Sequence, residues 1–124
     1  MIESPHFKHV ELRCRCCGEN RIDEGFLAFL EAVRVECGFP FVLSSAYRCP
    51  THNARVSSTG VDGPHTVGAA DVKVFGHQAH RVIEVGAKLG ARGIGVSQKG
   101  PQERRFLHLD ILDRGGPRPW VWSY

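Results

Sequence analysis

The stretch RFLHLDIL (105–112) decides the fold, because its apolar residues fall on alternate positions. Leu107, Leu109 and Ile111 share one side of an extended chain, and Phe106, His108 and Asp110 share the other. Period-two alternation predicts a strand with one face on a core. It also sets a histidine and an aspartate side by side on the face turned away from that core. Upstream, GIGV (93–96) reads as a neighbouring strand, joined through the polar turn QKGPQE (98–103). AADVKVF (69–75) is strand-like too, with Val72 and Val74 on one face and Asp71 and Lys73 on the other. FVLSS (41–45) reads as a short buried strand.

Two segments carry helical period. Asp23 can cap a helix running to about Cys37, with Phe26, Leu30, Val33 and Cys37 at three- and four-residue steps. Gly38 then stops it and Pro40 follows. In HQAHRVIEVGAKLG (77–90) the pattern predicts a second helix, with Ala79, Val82, Ile83, Gly86 and Leu89 inward and Gly90 at its end. Between 49 and 64 the chain is rich in Ser, Gly, Thr and Pro, which predicts one helical turn near Asn53 and then a loop. The tail GGPRPWVWSY (115–124) has aromatic residues that could close over a core or line a groove. The expected architecture is α+β: one domain over 1–124, a small central antiparallel sheet and two main helices.

Composition sets the outer limits. The chain has 124 residues, enough for its own core, with 42% hydrophobic and 23% charged residues, an ordinary globular balance. A net charge of +3 suits an anionic polymer such as a cell wall or a nucleic acid. A nucleic-acid module needs basic clusters with interleaved aromatics, and here the Lys and Arg residues are dispersed. No apolar run approaches the ~20 residues of a membrane span, so no membrane insertion is expected. MIESPHFKHVELR (1–13) has no apolar centre and does not read as a signal peptide, so synthesis in the cytoplasm is expected. A monomer is expected.

Five cysteines, Cys14, Cys16, Cys17, Cys37 and Cys49, are an odd number for a disulfide framework. Cys14 and Cys17 have CxxC spacing, and a structural zinc site with Cys37 and Cys49 is conceivable. That later pair lacks tight knuckle spacing, so scattered reduced thiols are the expectation.

The chemistry-bearing residues form a split set: His65 and Asp71 in GPHTVGAADV (63–72), then His108 and Asp110 in the strand quoted first. Two neutral imidazoles and one carboxylate can bind zinc and leave its fourth position to water, the ligand count of a catalytic zinc site. Gly63, Pro64 and Gly68 fix the backbone around His65. His6, His9, His52, His77 and His80 read as surface or hydrogen-bonded histidines. No Ser or Cys has a clear base with an orienting partner, so nucleophilic catalysis has little support.

Taken in order, LRCRCCG, IDEGFLAFLEAVR, SSAYRCPTHN, GPHTVGAAD, GIGV, FLHLD and the closing Trp120 resemble the zinc D-alanyl-D-alanine carboxypeptidase and L-alanyl-D-glutamate endopeptidase family, in its short phage and prophage branch. The resemblance implies a hedgehog/DD-peptidase-like fold and a Zn2+ cofactor. It implies hydrolysis of peptidoglycan stem peptides, on the cell wall after release or as a virion component. His65, Asp71 and His108 are its implied zinc ligands. Arg48, in S-x-Y-R context, is the residue implied to hold or polarise the substrate's carbonyl or carboxylate.

Three departures from the family pattern matter, one being Gly63 where a Ser often stands two residues before the first histidine. Gly68 is followed directly by Ala69, Ala70 and Asp71, which makes the loop after His65 one residue short, so a bulge or turn must absorb the change. Arg105 stands where several branches carry a Glu or His base, and a guanidinium cannot take a proton. Asp110 is therefore the expected general base, with Glu103 the other candidate and a histidine-orienting role the competing one for Asp110. The alternative to an enzyme is a zinc-binding wall- or protein-recognition domain of the same fold that has lost turnover.

Overall fold

The computed structural model describes residues 1–114 and 116–124. Helix α1 (His9–Leu12) leads into α2 (Glu24–Cys37), strand β1 (Leu43–Ser45), α3 (Pro50–Val56) and β2 (Ala69–Val72). Helix α4 (Gly76–Leu89), β3 (Gly93–Ser97), β4 (Phe106–Asp110) and β5 (Trp120–Ser123) complete the order. The strands form one sheet, β1-β2-β4-β3-β5. Three of its pairings are antiparallel and the β3–β5 pairing is parallel. None of the helices among the described residues is long and apolar enough to cross a membrane.

Local chemistry sets the helix ends where the sequence predicts them. The Asp23 carboxylate accepts the Phe26 N–H at 2.9 Å and caps α2, which ends where Gly38 turns left-handed at φ +79°. Helices α2 and α4 pack on each other and on one sheet face. There Ala70, Val72, Leu107 and Leu109 meet Phe26, Leu30, Val33, Val82 and Val85 in one buried cluster. Phe7 and Leu12 close it from the amino-terminal side. With that face sealed by apolar contacts, the alternate side chains of β2 and β4 are committed to the other face.

The structure departs from the sequence reading in five places. The FVLSS stretch, expected as a buried strand over 41–45, pairs as β1 over Leu43–Ser45, and Val42 and Ser44 are exposed. The sheet is mixed, because residues after β4 carry the chain back across and lay β5 parallel to β3 at the edge. In α4 the buried residues are Ala79, Val82, Val85 and Gly86, while Leu89, in the last turn before Gly90, is exposed. Strand β2 stops at Val72, although the Lys73 N–H still reaches the Val42 carbonyl at 2.8 Å. The thiols are not scattered either: Cys14, Cys17 and Cys49 come together, and Cys37 lies apart at the end of α2.

Candidate metal centre

Asp71 and His108 face each other across the β2–β4 ladder, on the face away from the helices. His65 arrives from the short 3-10 turn Pro64–Thr66. That turn is held by the Thr66 hydroxyl, which donates to the Gly63 carbonyl at 2.7 Å, and by the Arg48 N–H, which donates to the His65 carbonyl at 2.9 Å. The result is a tight triangle. His65 Nε2 and His108 Nδ1 each lie 3.3 Å from Asp71 Oδ1, and all three residues are buried. The loop after His65 is one residue shorter than the resembled pattern, yet Asp71 still points at His65. Gly68 packs so closely on α2 that an added Cβ would stand 2.8 Å from Phe26 Cβ.

The other ring nitrogens fix the tautomers. His65 Nδ1 donates to the Ala46 carbonyl at 2.7 Å, which leaves Nε2 with its lone pair toward Asp71. His108 Nε2 donates to Asp110 Oδ2 at 2.7 Å, which aims Nδ1 at the same point. Asp71 Oδ1 is buried and has no hydrogen-bond partner among the described residues. Three acceptor atoms around one buried point need a cation. Metal bonds of about 2.0 Å to a tetrahedral ion put its donors about 3.3 Å apart, so these residues fit zinc.

Electrostatics agree. Burial alone would raise the Asp71 carboxyl, but the His108 and His65 imidazoles hold it well below the usual carboxylate range. Burial opposes charge on His108, yet the Asp110 and Asp71 carboxylates outweigh it and push that imidazole up. A proton and a metal ion are thus alternative occupants of this nest, and metal binding there displaces the proton.

Over the triangle lies an open pocket of about 530 Å³, lined by Arg48 and by the aromatic residues Phe106, Trp120, Trp122 and Tyr124. Arg48 is tied down from three directions: Nε donates to Ser45 Oγ at 3.0 Å, Nη1 to Asn53 Oδ1 at 3.2 Å, and Nη2 stands 3.5 Å from Asp71 Oδ2. Asn53, fully buried, also donates to Thr59 Oγ1 and the Gly60 carbonyl, so one side chain sets both Arg48 and the loop above His65.

Glycines open the wall beside the triangle. Gly93 and Gly95 occupy the site face of β3, opposite Asp110 and His108. Trp122 crosses over Gly95 onto His108, ring centroids 4.9 Å apart, and Arg118 crosses over Gly93 onto Asp110. A Cβ at Gly95 would stand 2.7 Å from Trp122 Nε1 and 3.0 Å from His108 Cβ. Gly95→Ala should therefore push the indole off His108, shift tryptophan emission to the red and cost roughly 1–3 kcal/mol in denaturant unfolding. Unchanged emission and stability would mean that the close approach does no such work.

The structure brings together His65, Asp71, His108 and Arg48, and treats the two expected bases differently. Asp110 is fully buried beneath His108. Its Oδ2 is taken by His108, and its Oδ1 accepts from Arg118 Nη1 at 2.7 Å and the Leu112 N–H at 3.1 Å. It is not among the pocket-lining residues. Glu103 is exposed in the turn Gln102–Arg104 and does not line the pocket either. His77 and His80 are exposed on α4 and join no metal-competent group among the described residues. Sequence reasoning missed Arg118, Asn53 and the Ala46 carbonyl. The aromatic tail hinted at Trp122 without giving its partner.

Residues 5–110 match the protein family described as Peptidase M15. No curated protein and no solved structure matches the chain significantly. Arg118, Trp120 and Trp122 lie beyond the matched residues.

Proposed function

The chain belongs to the peptidase M15 family, and from that premise we propose that it is a zinc-dependent peptidase that hydrolyses peptidoglycan stem-peptide bonds of carboxypeptidase or endopeptidase type. The observation that carries this reading is the convergence of His65 Nε2, His108 Nδ1 and Asp71 Oδ1 on one point at the floor of an open pocket. His65, Asp71 and His108 would hold zinc, which would supply Lewis acidity to the scissile carbonyl and lower the pKa of water to about 7. The chain's own residues do the rest. Arg48 presents a fixed, planar guanidinium, suited to the carboxylate or carbonyl of a stem peptide. Trp120 and Trp122 offer flat apolar surface beside it. Tyr124 lines the same pocket, and a phenol, which keeps its proton at neutral pH, can donate to a developing oxyanion.

In this reading Asp110 orients His108 and does not take the water's proton. Both of its oxygens are spoken for, and His108 stands between it and the pocket. Arg48→Lys should keep the metal and the fold and lose most activity, since an ammonium cannot reproduce contacts to Ser45, Asn53 and Asp71 together with a two-pronged grip on substrate. Near wild-type turnover in Arg48→Lys would reduce Arg48 to a structural residue.

One observation favours a second reading, a domain that binds zinc and wall peptide without turnover. Among the described residues lining the pocket, the carboxylate is Asp71, already engaged with both histidines and Arg48. Digestion of purified muropeptides, with mass analysis of the products in the presence and absence of chelator, separates the two. Chelator-sensitive cleavage supports the peptidase. A zinc-loaded, folded chain that retains muropeptides and cleaves none supports the binding domain.

A further inference from the structure

The cysteine cluster is a second place where ligand atoms converge, and Cys49 in it directly follows Arg48 of the pocket. The Sγ atoms of Cys14, Cys17 and Cys49 lie within 4.8 Å of one another. Tetrahedral zinc–thiolate bonds of about 2.3 Å put sulfurs about 3.8 Å apart, so the three thiols need little adjustment to share one ion. Cys14 and Cys17 sit on a tight turn, CRCCG, where Gly18 adopts φ +76° and its N–H reaches the Cys14 carbonyl at 2.9 Å. Backbone N–H groups are aimed at the sulfurs: that of Cys49 reaches Cys14 Sγ at 3.3 Å. The His52 N–H likewise reaches Cys49 Sγ at 3.4 Å. A neutral thiol is a weak acceptor, whereas a metal-bound thiolate takes several such donors well.

We infer that Cys14, Cys17 and Cys49, with His52 as fourth ligand, form a structural zinc site separate from the His65–Asp71–His108 triangle. Cys49 is the N-cap of α3 and His52 its third residue; the His52 ring stands outside the converging thiols and must swing toward Cys49 to complete the shell. The spacing is Cys-x2-Cys followed by Cys-x2-His, a closed four-ligand set of the structural kind. A disulfide among the three would leave one thiol over. The ion would tie the amino-terminal segment to the residue next to Arg48, reinforcing the Tyr47 N–H bond to the Leu12 carbonyl at 3.1 Å.

Cobalt(II) tests this site apart from the triangle, because only thiolate ligands give a sulfur-to-cobalt charge-transfer band. Titration of the reduced, metal-free wild-type chain should produce that band with tetrahedral visible absorption, and zinc should bleach it. Cys17→Ser changes an exposed residue and should lose at least a third of the band, while Cys37→Ser and His65→Ala keep all of it. His52→Ala should keep the band and bind cobalt at least about tenfold more weakly. A folded, reduced wild type without the band, or a full band in Cys17→Ser, overturns the site. Equal affinity in His52→Ala removes His52 from it.

Discussion

His108→Ala should lose bound zinc and at least about 1,000-fold in peptidase activity, because without the metal the attacking water returns from a pKa of about 7 to that of bulk water. The effect is large because His108 joins three parts of the site. Its Nδ1 is one corner of the triangle, its Nε2 binds Asp110 at 2.7 Å, and Trp122 lies on its ring. His65→Ala removes a different corner and should give the same loss of metal. Elemental analysis must be read against the cysteine cluster, which would hold an ion of its own. The expected result is a drop by one zinc per chain in each variant. Unchanged zinc content together with unchanged activity in both would move the metal chemistry away from the triangle.

Asp110→Asn should weaken zinc binding at the triangle by roughly 10–100-fold, and activity should return when zinc is added to saturation. The amide can accept the His108 N–H or the Arg118 N–H, but its NH2 then opposes the other donor. Arg118 is left buried, its guanidinium stacked 5.6 Å from the Trp122 ring and without its carboxylate. Breaking a buried pair of this kind costs up to roughly 3–5 kcal/mol, so the thermal midpoint should also fall. The sequence reading of Asp110 as general base makes the opposite forecast, a fully metal-loaded variant that zinc cannot rescue. Activity against added zinc for wild type and Asp110→Asn, side by side, decides between the two roles.

Alternation and helix punctuation were legible from residue order. The RFLHLDIL stretch fixed which side chains face the helices, because a strand cannot put Leu107 and His108 on one side. The Asp23 cap and the Gly38 and Gly90 stops placed both main helices for equally local reasons. Ligand type, two imidazoles and a carboxylate, pointed to zinc before any geometry was known, and His65, Asp71, His108 and Arg48 do meet in space.

Tertiary structure decided what depends on partners distant in sequence. A carboxylate on a strand can be a base or an orienter, and only the tertiary structure brings Arg118 and His108 onto both oxygens of Asp110, the contacts on which the orienting proposal rests. Gly93 and Gly95 look like ordinary strand glycines until β5 lies alongside and sends Arg118 and Trp122 across them. The thiols teach the same lesson. Cys37 and Cys49 are equally plausible companions for Cys14 by count, but α2 carries Cys37 away while the Leu12–Tyr47 backbone bond brings Cys49 in. Local order sets which face a residue takes. Which residues share that face across the molecule is set by chain crossings that periodicity does not encode.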